Sequence, residues 1–263
     1  MISSTSNAQI KNIIQLQTKA KARNRQSCFV VEGLRLYLEV PKEALVKTYV
    51  SAGFFSDADA ALKKQVEASD YELVEDEVFK RISDTMTPQG ILAVVKKKEL
   101  FIKDMLEAQS QDRKLLLMLE DIQDPGNLGT IIRTAEGAGV SGVIMSDKTV
   151  DIYNPKVVRS TMGSIFRVPF IYVDNLADVA DTLKKSGIKL YAAHLKGSRN
   201  YFEMDYSKSS AFLIGNEGNG LSDVLAEKAD ALIKIPMFGQ IESLNAASAA
   251  TILMYEALRQ TVV

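Results

Sequence analysis

The 263-residue chain has one cysteine, Cys28, one histidine, His194, and no tryptophan. A single cysteine excludes an intramolecular disulfide framework. One cysteine and one histidine also leave too few of the usual ligands for a zinc site, so no metal is expected. No apolar run approaches the ~20 residues needed to span a bilayer. The first 25 residues lack the hydrophobic centre of a secretion signal, so the expected location is the cytoplasm. A P-loop pattern is absent, and the strand-like run 115–119 is not followed by a G-x-G-x-x-G turn. A dinucleotide fold or a nucleotide triphosphatase is therefore unsupported. A net charge of −1 excludes a chain that is basic throughout.

What is present fits a soluble globular protein of one large domain or two ordinary ones, with 46% hydrophobic and 25% charged residues. The charge is unevenly spread. Residues 1–35 hold six Lys or Arg against one acid, Glu32, whereas residues 36–98 hold nine basic and eleven acidic residues. A basic stretch on a neutral chain can contact phosphates, and it can equally be a solvated helix end.

Residues 1–98 mix short helical and strand patterns and read as a small α/β domain: helical spacing of Ile10, Ile13, Ile14 and Leu16, a strand at 29–33, and further strands at 47–50, 71–74 and 91–95. The polar stretch 99–113 is the expected linker. From residue 114 to 263, continuous apolar runs alternate with helical segments: 115–119, 142–146, 168–173, 189–195, 211–215 and 231–236. That pattern predicts an α/β domain with a mostly parallel sheet covered by helices on both faces, whose ligands bind beyond the carboxyl ends of the strands.

Three polar loops follow three of those runs. In the first, Asn127 suits a helix N-cap, and Arg133 lies within the helix between apolar neighbours. From the helix alone, an ion pair with Glu136 or another acid is the simpler account of Arg133. The second loop, 215–225, carries glycines at 215, 218 and 220, holds Glu217 and has no Lys or Arg. It suits a neutral or cationic ligand better than a phosphate, although a tight turn would explain the glycines alone. In the third, Ser243 or Asn245 could cap the last helix, and the small residues 246–250 allow close packing.

Taken together, N-L-G-x-I-x-R-T-A (127–135), L-I-G-N-E-G-x-G-L-S (213–222) and I-P-M-x-G-x-x-x-S-L-N-x-x-x-A (235–249) resemble the three motifs of the SpoU (TrmH-type) RNA ribose 2′-O-methyltransferases of the SPOUT class. The segment K-x-x-R-S-x-x-G-S-x-F-R-V-P (156–169) is also similar to that family. The N-terminal N-x-x-I-K, K-A-R-x-R and F-V-V-E-G-x-R resemble the L30e-like substrate-binding domain that many members carry. One departure is the run 246–250, where many members have Val-Ser-Val-Ala.

The resemblance implies a deep trefoil knot, S-adenosylmethionine as cofactor, and a homodimer acting on RNA, with ribosomal RNA favoured over transfer RNA. It assigns the cofactor to Leu213, Gly215, Asn216, Gly218, Ile235, Met237, Ser243 and Leu244. Catalysis falls to Arg133, Asn127, Glu217, Ser243 and Asn245, with Arg133 activating the ribose hydroxyl. RNA docking falls to Lys19, Lys21, Arg23, Arg25 and Arg35. The competing readings are an RNA-binding protein that kept the fold without catalysis, and an enzyme that methylates a base instead of ribose.

Overall fold

A computed structural model of the chain describes residues 1–107 and 113–262. Residues 108–112, inside the expected linker, lie outside the described residues. The chain divides into two units: 1–98 with 151–166, and 99–150 with 167–263. The first unit is therefore discontinuous in sequence. The segment 151–166, which the sequence reading places in the C-terminal domain, groups with residues 1–98.

The first unit comprises α1 (Ala8–Thr18), α2 (Ala20–Gln26), β1 (Cys28–Glu32), α3 (Leu34–Leu38), β2 (Leu45–Ser51), α4 (Ala52–Asp57), α5 (Ala60–Glu67), β3 (Tyr71–Val74), α6 (Asp76–Ile82) and β4 (Ile91–Lys96). Its sheet runs β1-β4-β2-β3, with β4 antiparallel to both neighbours and β2 parallel to β3. Central β4 is buried from Ile91 to Val95, as its continuous apolar run requires. Asn7 caps α1 by accepting from the Gln9 N–H at 2.8 Å, and Ile10, Ile13 and Leu16 form the buried stripe.

The segment 151–166 belongs here for physical reasons. The Tyr153 ring lies 4.7 Å from that of Phe29 in β1, and Phe166 lies 6.3 Å from it. Lys97 Nζ stands 4.4 Å over the Tyr153 ring. Arg23, only 4% exposed, pairs with Asp151 at 2.7 Å and donates to the carbonyls of Leu16 at 2.7 Å and Gln17 at 3.1 Å. This corrects its assignment to RNA: its guanidinium is fully engaged in holding α2 and the 151 segment together. Lys19, Lys21, Arg25 and Arg35 are exposed.

The second unit comprises α7 (Ile102–Glu107), β5 (Leu115–Leu119), α8 (Pro125–Gly137) and β6 (Gly142–Ser146). After α9 (Pro155–Ser160), which belongs to the first unit, it continues with β7 (Phe170–Val173), α10 (Leu176–Lys185), β8 (Lys189–Ala193), β9 (Arg199–Asn200), β10 (Ser210–Ile214), α11 (Asp223–Ala226), β11 (Ala231–Lys234) and α12 (Ala246–Val262). The expected linker is in part structured, because α7 buries Met105 in this unit's core. The sheet runs β7-β6-β5-β10-β8-β11-β9 and every pairing is parallel. β5 and β10 are buried at every position. α10 presents Leu176, Ala180 and Leu183 to the sheet, and α12 buries Ala246, Ala250, Leu253 and Ala257 along one face. Among the described residues no helix is long and apolar enough to cross a membrane.

From β5 the chain passes to β6 and β7 on one side, then returns to place β10 on the other side of β5. The order thus reverses between β5 and β10. In such sheets the crevice beyond the carboxyl ends at this point receives ligands. Both the 120–127 loop and the 215–222 loop leave from it.

Candidate functional site

The first loop starts at Glu120, whose carboxylate accepts from the Ser222 N–H and hydroxyl, both at 2.7 Å, tying the β5 end to the entrance of α11. Asp124, not Asn127, caps α8. Its Oδ1 accepts from the Asn127 N–H at 2.8 Å, and Pro125 occupies the first helical position. The signal for this is present in the sequence: an acid before a proline is a strong helix start, since that proline lacks only an N–H that would otherwise be unpaired. Asn127 is thereby released from capping, and its side chain faces the other loops.

Asn127 Nδ2 donates to Glu217 Oε1 at 2.9 Å, and its Oδ1 accepts from Asn245 Nδ2 at 2.8 Å. Asn245 also caps α12, with its Oδ1 accepting from the N–H groups of Ala247 at 2.9 Å and Ser248 at 3.3 Å. One hydrogen-bonded line therefore joins all three polar loops, from Asn245 through Asn127 to Glu217. Glu217 further accepts from the Gln123 N–H at 3.1 Å and the Asp124 N–H at 3.2 Å. Desolvation pushes its carboxyl pKa upward. The Asn127 side chain and the N–H groups of Glu217, Gln123 and Asp124 outweigh that, and the net shift is downward. A carboxylate so supplied with donors is a poorer proton acceptor than an ordinary one.

Arg133 stands apart. It is exposed on α8 and makes no hydrogen bond or ion pair with a described residue. Glu136, the partner that a structural role would need, is engaged by Arg167. Six residues separate Arg133 from Asn127, about 9 Å along the helix and about 240° around it, so the two lie on different faces. Ser243 is exposed and joins no hydrogen bond in the line. His194 lies outside it as well, its Nδ1 accepting from the Lys196 N–H at 3.1 Å.

The second loop folds back on itself. Asn216 and Gly220 exchange backbone hydrogen bonds of 3.0 and 2.9 Å, and Asn216 Oδ1 accepts from the Gly218 and Asn219 N–H groups at 2.8 and 3.0 Å. A Cβ at Gly215 would lie 2.1 Å from the Gly220 carbonyl carbon. The glycine is thus required by the turn itself, and any ligand role of Gly215 belongs to its backbone. Leu213 likewise has its side chain in the core.

The third loop behaves differently. Residues 236–244 exchange no backbone hydrogen bond with another described residue, although Pro236, Met237 and Leu244 are half-buried. Half-buried main chain with free N–H and C=O groups suits a ligand recognised through the backbone. Beside it lie the neutral glycine turn and the carboxylate of Glu217, which suit a cation better than a phosphate. Both features fit the adenine edge and the sulfonium charge of S-adenosylmethionine.

Residues 114–255 match the SpoU rRNA Methylase family, and residues 7–93 match an MRM3-like substrate binding domain. The chain is 39% identical over 260 residues to the 23S rRNA (guanosine(2553)-2′-O)-methyltransferase RlmP of Bacillus subtilis (strain 168), with 97% of each chain covered. Among solved structures it is similar to an AdoMet-bound rRNA methyltransferase from Sinorhizobium meliloti, at 32% identity and a TM-score of 0.88, covering 100% of this chain and 98% of that one. It is also similar to the SpoU methyltransferase AviRb from Streptomyces viridochromogenes in complex with AdoMet, at 26% identity and a TM-score of 0.87, covering 97% and 98%. With its three polar loops drawn together beyond one parallel sheet, the chain belongs to the SpoU rRNA methylase family.

Proposed function

We propose that this protein is an S-adenosylmethionine-dependent methyltransferase that methylates a ribose 2′-hydroxyl of ribosomal RNA. The observation that carries the reading is the Asn245–Asn127–Glu217 line, which ties together the three polar loops of the matched family. Bound S-adenosylmethionine supplies an electrophilic methyl group on a sulfonium. The backbone of 235–244 and of the 215–218 turn would hold it, with Leu213, Asn216, Gly218, Ile235, Met237 and Leu244 contributing main chain or half-buried surface. In-line displacement requires the ribose oxygen to be aimed at that methyl, so positioning is a large part of the work. Asn127 and Asn245 fix the loops, Glu217 fixes Asn127, and Ser243 lies free at the same loop to contact ribose. Arg133, with five donors in a planar fork, would bind the hydroxyl oxygen and an adjacent RNA phosphate together, lowering the hydroxyl pKa so that its proton passes to that phosphate oxygen or to solvent as the oxygen–methyl bond forms and the methyl–sulfur bond breaks.

Three finer readings accompany this one. The first unit docks the RNA through Lys19, Lys21, Arg25 and Arg35. The C-terminal segment is threaded as a trefoil knot, supported by the return of α12 onto α8 after β11. The enzyme works in the cytoplasm as a homodimer, in which a partner's α8 would bring Arg133 to a site that its own Asn127 does not share. Guanosine 2553 of 23S rRNA, the residue named for the B. subtilis relative, is the first nucleotide to test.

The experiment is a comparison of ribose methylation across total RNA from cells with and without the gene, followed by transfer of labelled methyl in vitro. Loss of one 2′-O-methyl mark on ribosomal RNA is expected. A mark on transfer RNA would change the substrate, and a mark on a base would change the reaction. Cofactor binding without transfer to any RNA would leave an RNA-binding protein.

A further inference from the structure

Asp121 is a residue that neither the motifs nor the line of site residues includes. It sits two residues past β5 with φ +56°, in the left-handed region that side-chain-bearing residues adopt at a cost and that glycine adopts freely. Several hydrogen bonds hold it there. Its N–H donates to the buried Ser146 hydroxyl at the end of β6 at 2.8 Å, and that hydroxyl donates back to Asp121 Oδ1 at 2.7 Å. Its carbonyl accepts from Asn216 Nδ2 at 2.7 Å and from Gln123 Nε2 at 3.1 Å. The next residue, Ile122, is fully buried, and its carbonyl accepts from the Val150 N–H at 2.8 Å. One left-handed residue therefore fastens the ends of β5, β6 and β10 together. The turn it makes leads directly into the two N–H groups, of Gln123 and Asp124, that grip Glu217.

We propose that Asp121 is a positioning residue for the methyl transfer: its left-handed turn aims the Gln123 and Asp124 N–H groups at Glu217, and through Glu217 sets Asn127 and Asn245. The inference rests on the methyltransferase reading for its kinetic consequence, but not for its geometric one. A purely structural turn would affect melting temperature alone. A positioning turn also changes the environment of the Glu217 carboxyl and the rate of transfer.

The test uses the full-length protein and its Asp121→Val, Asp121→Gly and Ser146→Ala variants. The Glu217 side-chain carboxyl is followed by carbon NMR across an acid titration, without RNA or cofactor. Single-turnover transfer is measured at saturating RNA and cofactor. Valine strongly disfavours the left-handed turn, so in Asp121→Val the Glu217 titration should move up toward its ordinary 4.5. The transfer rate should fall roughly tenfold or more, with cofactor affinity within about threefold. Asp121→Gly accepts the positive φ and should rescue both the low titration and about a third or more of the rate. An Asp121→Val protein whose Glu217 titrates as in the unaltered chain would overturn the proposal, as would a glycine variant as impaired as the valine one. If Asp121→Val does not fold, Ser146→Ala decides: it removes the tie and leaves the backbone free of new strain, and an unmoved Glu217 titration there is equally fatal. Absence of transfer by the unaltered enzyme would strike the activity reading alone, since the titration needs no substrate.

Discussion

Arg133 is the residue whose free guanidinium most directly invites a test. Arg133→Ala should leave cofactor affinity within about threefold and remove most single-turnover activity, because the interaction removed belongs to the transition state. Arg133→Lys separates charge from shape: lysine keeps the cation and loses the fork, so a rate close to that of alanine would show that geometry matters. With no ion pair to a described residue to break, neither change should lower the melting temperature by more than about a degree. Glu217 supports a second prediction, read against pH. Its folded-state pKa lies below the ordinary 4.5, so its contribution to stability is complete above about 4.5 and is lost as pH falls through the lowered value. Thermal melts of Glu217→Gln should accordingly show a shallower acid-side decline than the unaltered protein. At this scale much is legible in the sequence. The residue types at 127, 217 and 245 mark the proposed site, but the cap is read one turn late, at Asn127, although Asp124 directly before Pro125 carries the stronger start signal. Arg23 likewise reads as a surface cation, since its burial depends on Asp151, which lies 128 residues further along the chain.

Helix α8 shows how a single element carries both fold and site. Asp124→Ala should cost about 1 kcal/mol through loss of the cap. In the same variant Asn127 would lose the N–H anchor that fixes its own backbone, so urea denaturation and the transfer rate should both respond. Helix α2 gives a sharper contrast. Arg23→Ala leaves Asp151 and two carbonyls without their donor and should cost about 3 kcal/mol, the lower end for a broken buried pair because Asp151 keeps some access to water. Changing Lys21 and Arg25, one to either side of it, should leave stability nearly unchanged. It should instead weaken RNA binding and reduce its salt dependence by about one unit of slope for each phosphate no longer neutralised. The strands of the second unit are readable because continuous apolar runs signal a covered parallel sheet. β9, two residues long, has no period to read and emerges only from its pairing with β11.

For the whole molecule, the discontinuity of the first unit alters how the chain can be divided. A fragment starting at Lys114 keeps the motif loops but also keeps 151–166 without β1, uncovering Val157 and Val158, which are buried in the full chain. Such a fragment should bind S-adenosylmethionine and lose most RNA affinity, yet be less soluble than the intact protein. Calorimetry and filter binding would check both, and full RNA affinity in the fragment would remove the docking role from the first unit. The same arrangement sets a timetable during synthesis. The ribosome finishes Lys98 and then spends roughly 5 s, at common elongation rates, building residues that join the second unit before Asp151 is made. Until then Arg23 has no carboxylate to meet and Phe29 lacks Tyr153 beside it. Nascent chains arrested near residue 130 should consequently offer α2 and β1 to protease, and chains arrested near residue 200 should protect them. The first unit is thus completed only after the second has begun to form, which gives a chaperone or the exit tunnel a defined interval in which to shield an unfinished sheet.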